Sequence, residues 1–350
     1  MKRIAIVAQG LSDGGAERVA SILANYFNSK HYIVKYICAY SNKEEYKIEE
    51  TITVDCIHTK ATNRIIRLLD RNIKIYHSLR RFKPDAVIAF ICNELLLSEV
   101  AGVPIIFTLR NDPNKIDCQS IPRILRNFAY RNAKAIVFQT NGAKEYFSST
   151  IQNKGVIIPN PVDASILPIW KDYEHNKTFI TACRLNKQKN IPMLIEAFVL
   201  VHESYPDYSL EIYGDGELKD SINNLIEAVG ATSYIKLMGH STHIHKIMAE
   251  SFAFVLSSDY EGLSNSMLEA LCMGIPVICT DCPPGGAREY IINGKSGLLT
   301  IVGDHKSMAD NMQYLIENEQ LREEFTKSSA QYRNQLKLSV IGGQWENIIR

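Results

Sequence analysis

Short runs of consecutive apolar residues, many of them β-branched, alternate along the whole chain with stretches whose apolar residues recur at helical spacing. No other feature restricts the fold as much. In the first half the runs fall at residues 3–8, 32–39, 86–90, 104–108, 135–138 and 156–158, with amphipathic stretches at 16–27, 64–81 and 121–132 among them. A strand apolar on successive positions is covered on both faces. Such strands separated by helices join into a parallel sheet through right-handed crossovers. The fold class is therefore α/β, built on doubly wound parallel sheets.

The pattern stops once. Ile157-Ile158-Pro159-Asn160-Pro161-Val162-Asp163 places two prolines within three residues, which excludes helix and central strand alike. Beyond it the alternation restarts, with strands expected at 178–183, 209–213, 235–238, 253–256 and 276–279 and only helices after Asp304. The expected organisation is a Rossmann-like domain over 1–160, a second over 161–335, and a C-terminal helix over 336–350 that packs back on the first. Open α/β sheets bind ligands at the carboxyl ends of their strands, so a cleft lined by both sets of strand ends is expected.

Composition removes several classes. With 46% hydrophobic and 22% charged residues, the chain is globular rather than disordered. The apolar run in MKRIAIVAQG is too short for a signal peptide and reads as a first strand. No stretch approaches the ~20 apolar residues of a membrane helix. A cytoplasmic protein is expected. The eight cysteines, Cys118 among them, are scattered through apolar segments and read as reduced thiols. Cys279 and Cys282 have CxxC spacing, but no second pair completes a zinc site. Charge is uneven: residues 1–162 carry a net +9 and the remainder −8. An anionic surface or ligand is expected for the first half alone.

The most informative segment is Glu261-Gly262-Leu263-Ser264-Asn265-Ser-Met-Leu-Glu269, followed by Ala-Leu-Cys-Met-Gly-Ile-Pro276. It follows a strand and opens a helix. The amides of Gly262, Leu263, Ser264 and Asn265 are expected at the helix N-terminus, where oriented N–H groups and the dipole favour phosphate. Glu269, about one turn in, suits a ribose diol, and Glu261 lies on the loop. Further landmarks occur in order at expected strand ends: Gly14-Gly15-Ala-Glu-Arg18, Arg184-Leu-Asn-Lys-Gln-Lys189-Asn190, Tyr213-Gly214-Asp-Gly216, and Gly239. Taken alone, each is as well explained by a helix cap or a surface ion pair.

Together these motifs resemble the family 4 glycosyltransferases over essentially the whole chain. The resemblance implies the two-domain GT-B fold and transfer of a sugar from a nucleotide diphosphate donor, UDP-linked here, with retention of configuration. It implies that Arg184 and Lys189 contact the diphosphate, Glu269 the ribose and Glu261 the donor sugar. By the same resemblance Gly14 and Gly15 let the backbone approach the diphosphate, joined by Gly214, Gly239 and His240 on the nucleotide side. No cofactor and no metal are expected, because fixed cations and amides stabilise the leaving diphosphate.

One departure stands out. Many family members carry a His at the end of a first-domain strand, where this chain has Leu109-Arg110-Asn111-Asp112-Pro113. With Asp281-Cys-Pro-Pro-Gly285-Gly286-Ala-Arg288, this resembles the subgroup that transfers N-acetylgalactosamine in bacterial surface-glycan assembly. Arg110, Asn111 and Asp112 are then candidates for a sugar or acceptor loop; the plainer reading is a loop with a helix cap. His240, His243 and His245 cluster without a carboxylate or Cys to complete a metal site, and the last two read as a solvated helix face.

Residues 63–83 place seven Lys/Arg against the single acid Asp70, interleaved with apolar residues at helical spacing. Either this helix lies on anionic lipid, or its apolar stripe faces the sheet and its basic face is solvated. The first reading fits a polyprenyl-diphosphate-linked acceptor and peripheral attachment at the inner membrane face; no nucleic-acid module accompanies the basic stretch. The alternatives are a GT-B nucleotide-sugar epimerase and a silent nucleotide-sugar-binding protein. A two-Rossmann dehydrogenase is disfavoured, since Gln9-Gly10-Leu-Ser-Asp13-Gly14 lacks the GxGxxG spacing.

Overall fold

The computed structural model describes residues 1–12, 14–40, 46–116, 120–171 and 175–350. Asp13 and Cys118 lie outside them. The described chain divides into two compact units, Met1–Pro161 with Leu338–Arg350, and Val162–Lys337.

The first unit is a seven-stranded parallel sheet in the order β3-β2-β1-β4-β5-β6-β7. Its elements are β1 (Arg3–Ala8), α1 (Gly15–Ser29), β2 (Ile33–Cys38), β3 (Thr53–Cys56), α2 (Arg64–Phe82) and β4 (Ala86–Ala89). They continue through α3 (Leu96–Val100), β5 (Ile105–Leu109), α4 (Pro113–Ile116), α5 (Ser120–Asn132), β6 (Ala135–Phe138), α6 (Asn141–Glu145), α7 (Ser149–Gln152) and β7 (Gly155–Ile157). In β1, Ile4 to Ala8 are all fully buried, as a central strand covered by helices on both faces requires. Val7 pairs with Ile37 of β2 on one side and Ala89 of β4 on the other. Alternate strand residues such as Val7, Val87 and Phe107 pack in one core with Ile75 and Leu79 of α2, Leu95, and Ala129 and Tyr130 of α5. Helices α2, α3 and α5 thus cover one face of this sheet.

The second unit is a six-stranded parallel sheet in the order β10-β9-β8-β11-β12-β13. It comprises β8 (Asn176–Ala182), α8 (Ile191–Ser204), β9 (Ser209–Tyr213), α9 (Lys219–Ala228), β10 (Ile235–Gly239), α10 (Ile244–Glu250) and β11 (Ser251–Leu256). Then come α11 (Asn265–Met273), β12 (Val277–Thr280), β13 (Leu298–Thr300), α12 (His305–Glu317), α13 (Glu319–Ser329) and α14 (Tyr332–Gln335). Its core joins Phe179, Phe198, Ile212, Phe252, Val255 and Met312. Each fully buried side chain of this size contributes ~1.5–3 kcal/mol of transfer free energy. Finally α15 (Leu338–Ile349) belongs to the first unit, where Trp345 is fully buried and Gly342 leaves room for the Tyr26 ring.

Both sheets reverse direction beside their first strand, β1/β4 and β8/β11, which is the doubly wound arrangement. Two strands escaped the sequence reading. The outermost strand of each sheet at one edge, β3 and β13, is three or four residues long. In β3 the sequence TVDC is exposed or half-buried and shows no apolar run.

Candidate functional site

In the second unit the motif residues gather at the carboxyl ends of β8 to β11, on both sides of the switch point. β8 ends at Ala182, and Arg184 lies exposed on the loop that follows. Lys189 closes a 3₁₀ turn, Lys187–Lys189, and Asn190 takes a left-handed conformation at φ 42° while its side chain caps α8 by accepting from Met193 N. The β11 loop is tied to this turn at four points. Asp259 N donates to Gln188 O (2.8 Å), Gln188 Nε2 to Tyr260 O (2.9 Å), Asn190 Nδ2 to Asp259 Oδ1 (2.7 Å), and Ser257 Oγ to Lys189 O (2.8 Å). These four bonds join the two loops.

They hold a charge pair between them. Lys189 Nζ meets Glu261 Oε2, with side chains only 12% and 18% exposed, and Ser258 Oγ lies 3.4 Å from the same oxygen. Burial pushes the Lys189 ammonium down, but the facing Glu261 carboxylate outweighs it and raises the group above its ordinary value. The lysine stays charged, with a carboxylate partner that an incoming anion can replace.

The helix N-terminus differs in detail from expectation. α11 begins at Asn265, and Ser264 is its cap: extended at φ −70°, ψ 123°, with Oγ accepting from Met267 N (3.4 Å). Gly262 and Leu263 therefore belong to the preceding loop and not to the first turn, and both are buried. A Cβ on Gly286 would stand 2.0 Å from Gly262 O, so the Gly285-Gly286 loop packs directly beneath this turn. Glu269 lies on the first full turn of α11 and is 7% exposed.

The histidines separate. His240 and His243 are exposed. His245 does not lie on a solvated face: its Nε2 is 3.2 Å from Glu269 Oε2, the side chain 20% exposed. α10 packs against α11, a contact that no linear spacing reveals. Among the described residues, no group of three or more His, Cys, Asp and Glu is placed to hold a metal ion. Cys279 and Cys282 are buried thiols, and burial pushes Cys282 up to about 12.

Gly214 and Gly239 close the far side. Gly214 N donates to Gly239 O (2.8 Å), and a Cβ on Gly214, at φ 132°, would stand 1.8 Å from Cys183 O. The β9 end crosses that of β8 closely, and only glycine fits. Gly239, at φ 73°, needs glycine for its left-handed turn.

In the first unit, Gly14 caps α1 at φ −158°, an extended conformation open to any residue, and Gly15 begins the helix. Backbone conformation therefore does not demand glycine at position 14. Arg110 follows β5 and lies over the Phe90 and Trp345 rings at 5.0 and 5.8 Å, with Nη1 donating to Asn160 Oδ1. Burial lowers its guanidinium to about 9. Asp112 is 1% exposed, and its Oδ1 accepts from Asn114 N (3.0 Å); Asn111 Oδ1 accepts from Asp112 N (2.8 Å). Asn111 and Asp112 thus shape the turn into α4, as the plainer sequence reading has it.

Residues 13–166 match the family described as Glycosyltransferase Family 4, and residues 162–332 the family described as Glycosyl transferases group 1. This chain belongs to the family 4 glycosyltransferases. The transferase is 28% identical to an uncharacterised glycosyltransferase of Methanocaldococcus jannaschii, across 91% of this chain and 93% of that protein. It is 26% identical, across 95% of each, to the Campylobacter jejuni N-acetylgalactosamine-N,N'-diacetylbacillosaminyl-diphospho-undecaprenol 4-alpha-N-acetylgalactosaminyltransferase. The amylovoran biosynthesis glycosyltransferase AmsD of Erwinia amylovora is 24% identical over the full length of both. Among solved structures, Anabaena HepE in complex with UDP and glucose aligns at TM-score 0.81 and 18% identity over 99% of each chain. S. aureus TarM aligns at 0.81 and 15%, over 100% of this chain and 99% of that one. The transferase accordingly has the GT-B fold, and it has relatives in bacterial polysaccharide synthesis.

Proposed function

We propose that the transferase moves a sugar, N-acetylgalactosamine or a related hexose, from a UDP-sugar to a hydroxyl of a lipid-linked glycan, with retention at the anomeric carbon and without a metal ion. The observation that carries this is the Lys189–Glu261 pair, held by the joined β8 and β11 loops ahead of α11, the helix that carries Glu269. The diphosphate draws Lys189 and the exposed Arg184 to its oxygens, and Glu261, released from the lysine, takes the hydroxyls of the donor sugar. Glu269, which His245 faces at 3.2 Å, accepts from the ribose diol. The acceptor oxygen attacks the anomeric carbon from the face UDP leaves. The bond from that carbon to the phosphate oxygen breaks as the glycosidic bond forms, and the hydroxyl proton passes to the departing diphosphate. Lys189 and Arg184 offset the charge that develops there, the contribution an enzyme makes most effectively with groups already in place.

The donor reading draws support from HepE and TarM, which were solved with UDP. The acceptor reading draws support from the Campylobacter relatives, whose names specify undecaprenol-diphosphate-linked glycans, and from the net positive first half of the chain. No helix of the described residues is long and apolar enough to cross a membrane. Contact with such an acceptor is then peripheral, through the first unit.

A binding panel of UDP, GDP and ADP sugars, followed by turnover with undecaprenyl-diphosphate glycans, tests the reading. UDP-sugars should bind, product should form in excess EDTA, and its anomeric proton coupling should match the donor's. Conversion of donor without acceptor would instead identify an epimerase, and donor binding without any turnover a silent binding protein. Activity lost to EDTA and restored by Mn²⁺ would overturn metal independence.

A further inference from the structure

The layer formed by α2, α3 and α5 buries one side on the sheet and leaves apolar side chains on the other. Ile65, Leu69 and Ile73 recur at four-residue spacing along α2, and are 70%, 57% and 47% exposed. Val100 on α3 and Ile124 and Phe128 on α5 continue the pattern. Single exposed apolar residues need no explanation, but three packed helices presenting them together mark an interaction surface. Exposed cations surround it: Arg64, Lys74, Arg80 and Arg81 on α2, Arg123 and Arg131 on α5. Asp70 is the acid on α2, and it is paired with Lys74 at 2.7 Å.

Among the described buried polar groups of this layer, one carboxyl stands without a partner in the protein. Glu99 of α3 is 8% exposed, and neither carboxyl oxygen has a hydrogen-bond partner. It opens on a shallow cavity of about 280 Å³ lined by Glu99, Val100, Phe128 and Asn132.

We propose that the outer side of α2, α3 and α5 is a docking surface for an anionic lipid bilayer, with the Glu99 carboxyl as its proton-sensitive centre. This deepens the lipid-linked acceptor reading and rests on it for its purpose. Apolar side chains flanked by cations enter the interface while the cations meet lipid phosphates. Burial already pushes the Glu99 carboxyl up to about 7, with Lys154, just before β7, pulling the other way. Near it, Cys92 feels Glu99 together with Glu94 before α3 and Arg126 of α5; His77 is an exposed titratable group on α2. Seating α3 in lipid strips more water from Glu99 and favours its neutral form further. The docked state therefore holds the proton more tightly than the free state. Docking strengthens as pH falls through about 7 and levels off below.

The test is flotation of the intact protein with vesicles of phosphatidylcholine alone or with phosphatidylglycerol, across pH and salt. Binding should need phosphatidylglycerol, weaken with salt, and lose up to about tenfold in affinity per pH unit above neutrality. Ile65→Ser with Leu69→Ser and Ile73→Ser, all at exposed positions, should weaken it by about tenfold or more at either salt. Glu99→Gln should abolish the pH dependence and keep the salt dependence, whereas His77→Asn should keep both. Absence of binding at low salt and low pH would overturn the proposal. So would an unchanged pH slope in Glu99→Gln, or a serine variant that binds as wild type. Light scattering provides a further check: a dimer that the serine substitutions disperse, with no vesicle binding, would assign the face to a second copy of the chain. UDP binding in the same preparations reports the transferase reading separately, since it involves neither lipid nor these helices.

Discussion

Lys189 sits in a nearly dry pocket with one carboxylate, and the balance there decides what the residue can do. A lysine buried alone would shed its proton; facing Glu261, it keeps it. Lys189→Ala should lower kcat by roughly 10²–10³-fold, the usual cost of losing one preorganised charge on a developing anion, while Glu269→Ala should chiefly weaken UDP. Titration calorimetry that finds UDP affinity untouched in Glu269→Ala would remove the ribose assignment. The pair also has an alkaline signature. Because the folded value of Lys189 lies above the unfolded one, its stabilisation is complete below ~10.5 and lost as pH rises through the folded value. The stability difference between wild type and Lys189→Met, which has no group to titrate there, should stay level up to that pH and shrink beyond it. A difference that already changes near neutrality would show that the lysine is not held charged by Glu261.

At the level of elements, the site depends on how closely strand ends approach. The end of β9 passes over that of β8 with no room for a methyl group at Gly214. Gly214→Ala should destabilise the second unit by more than ~3 kcal/mol, through backbone clash as well as strain. Gly239→Ala, left-handed but in open space, should cost only ~1–2 kcal/mol. Urea melts of both variants check the ranking; equal costs would mean that the ends of β8 and β9 do not pass so closely. The same elements show what could be read in advance. The loops around Arg184, Lys189 and Glu261 were recognisable as neighbours of strand ends, because apolar runs mark those strands. The ties that join the loops, Asn190 to Asp259 and Gln188 to Tyr260, were not, since such polar pairs leave no periodic trace.

For the molecule as a whole, each unit carries its own core and one of the chain's two tryptophans. Trp170 is 2% exposed in the second unit, and Trp345 is fully buried in the first. Single-tryptophan variants, Trp345→Phe and Trp170→Phe, therefore report the units separately. A ligand that binds the native state stabilises it by mass action, ~2.7 kcal/mol at a hundredfold excess over Kd. UDP should raise the thermal midpoint reported by Trp170. A shift seen only through Trp345 would place the nucleotide on the wrong unit.

The amino-acid sequence by itself determined the two α/β units, the proline-marked break between them and the order of motifs at strand ends. Buried parallel strands and their helices have periods that a linear reading detects. The tertiary structure decided what has no period. It set Ser264 as the cap and left Gly262 and Leu263 outside the helix, brought His245 to Glu269, and turned Asp112 inward to shape a loop. It also left Ile65, Leu69 and Ile73 of α2 facing outward, where the helical spacing alone had left open whether they meet the sheet. Each of these depends on which element packs against which, and that is settled only when all the strands and helices compete for the same buried volume.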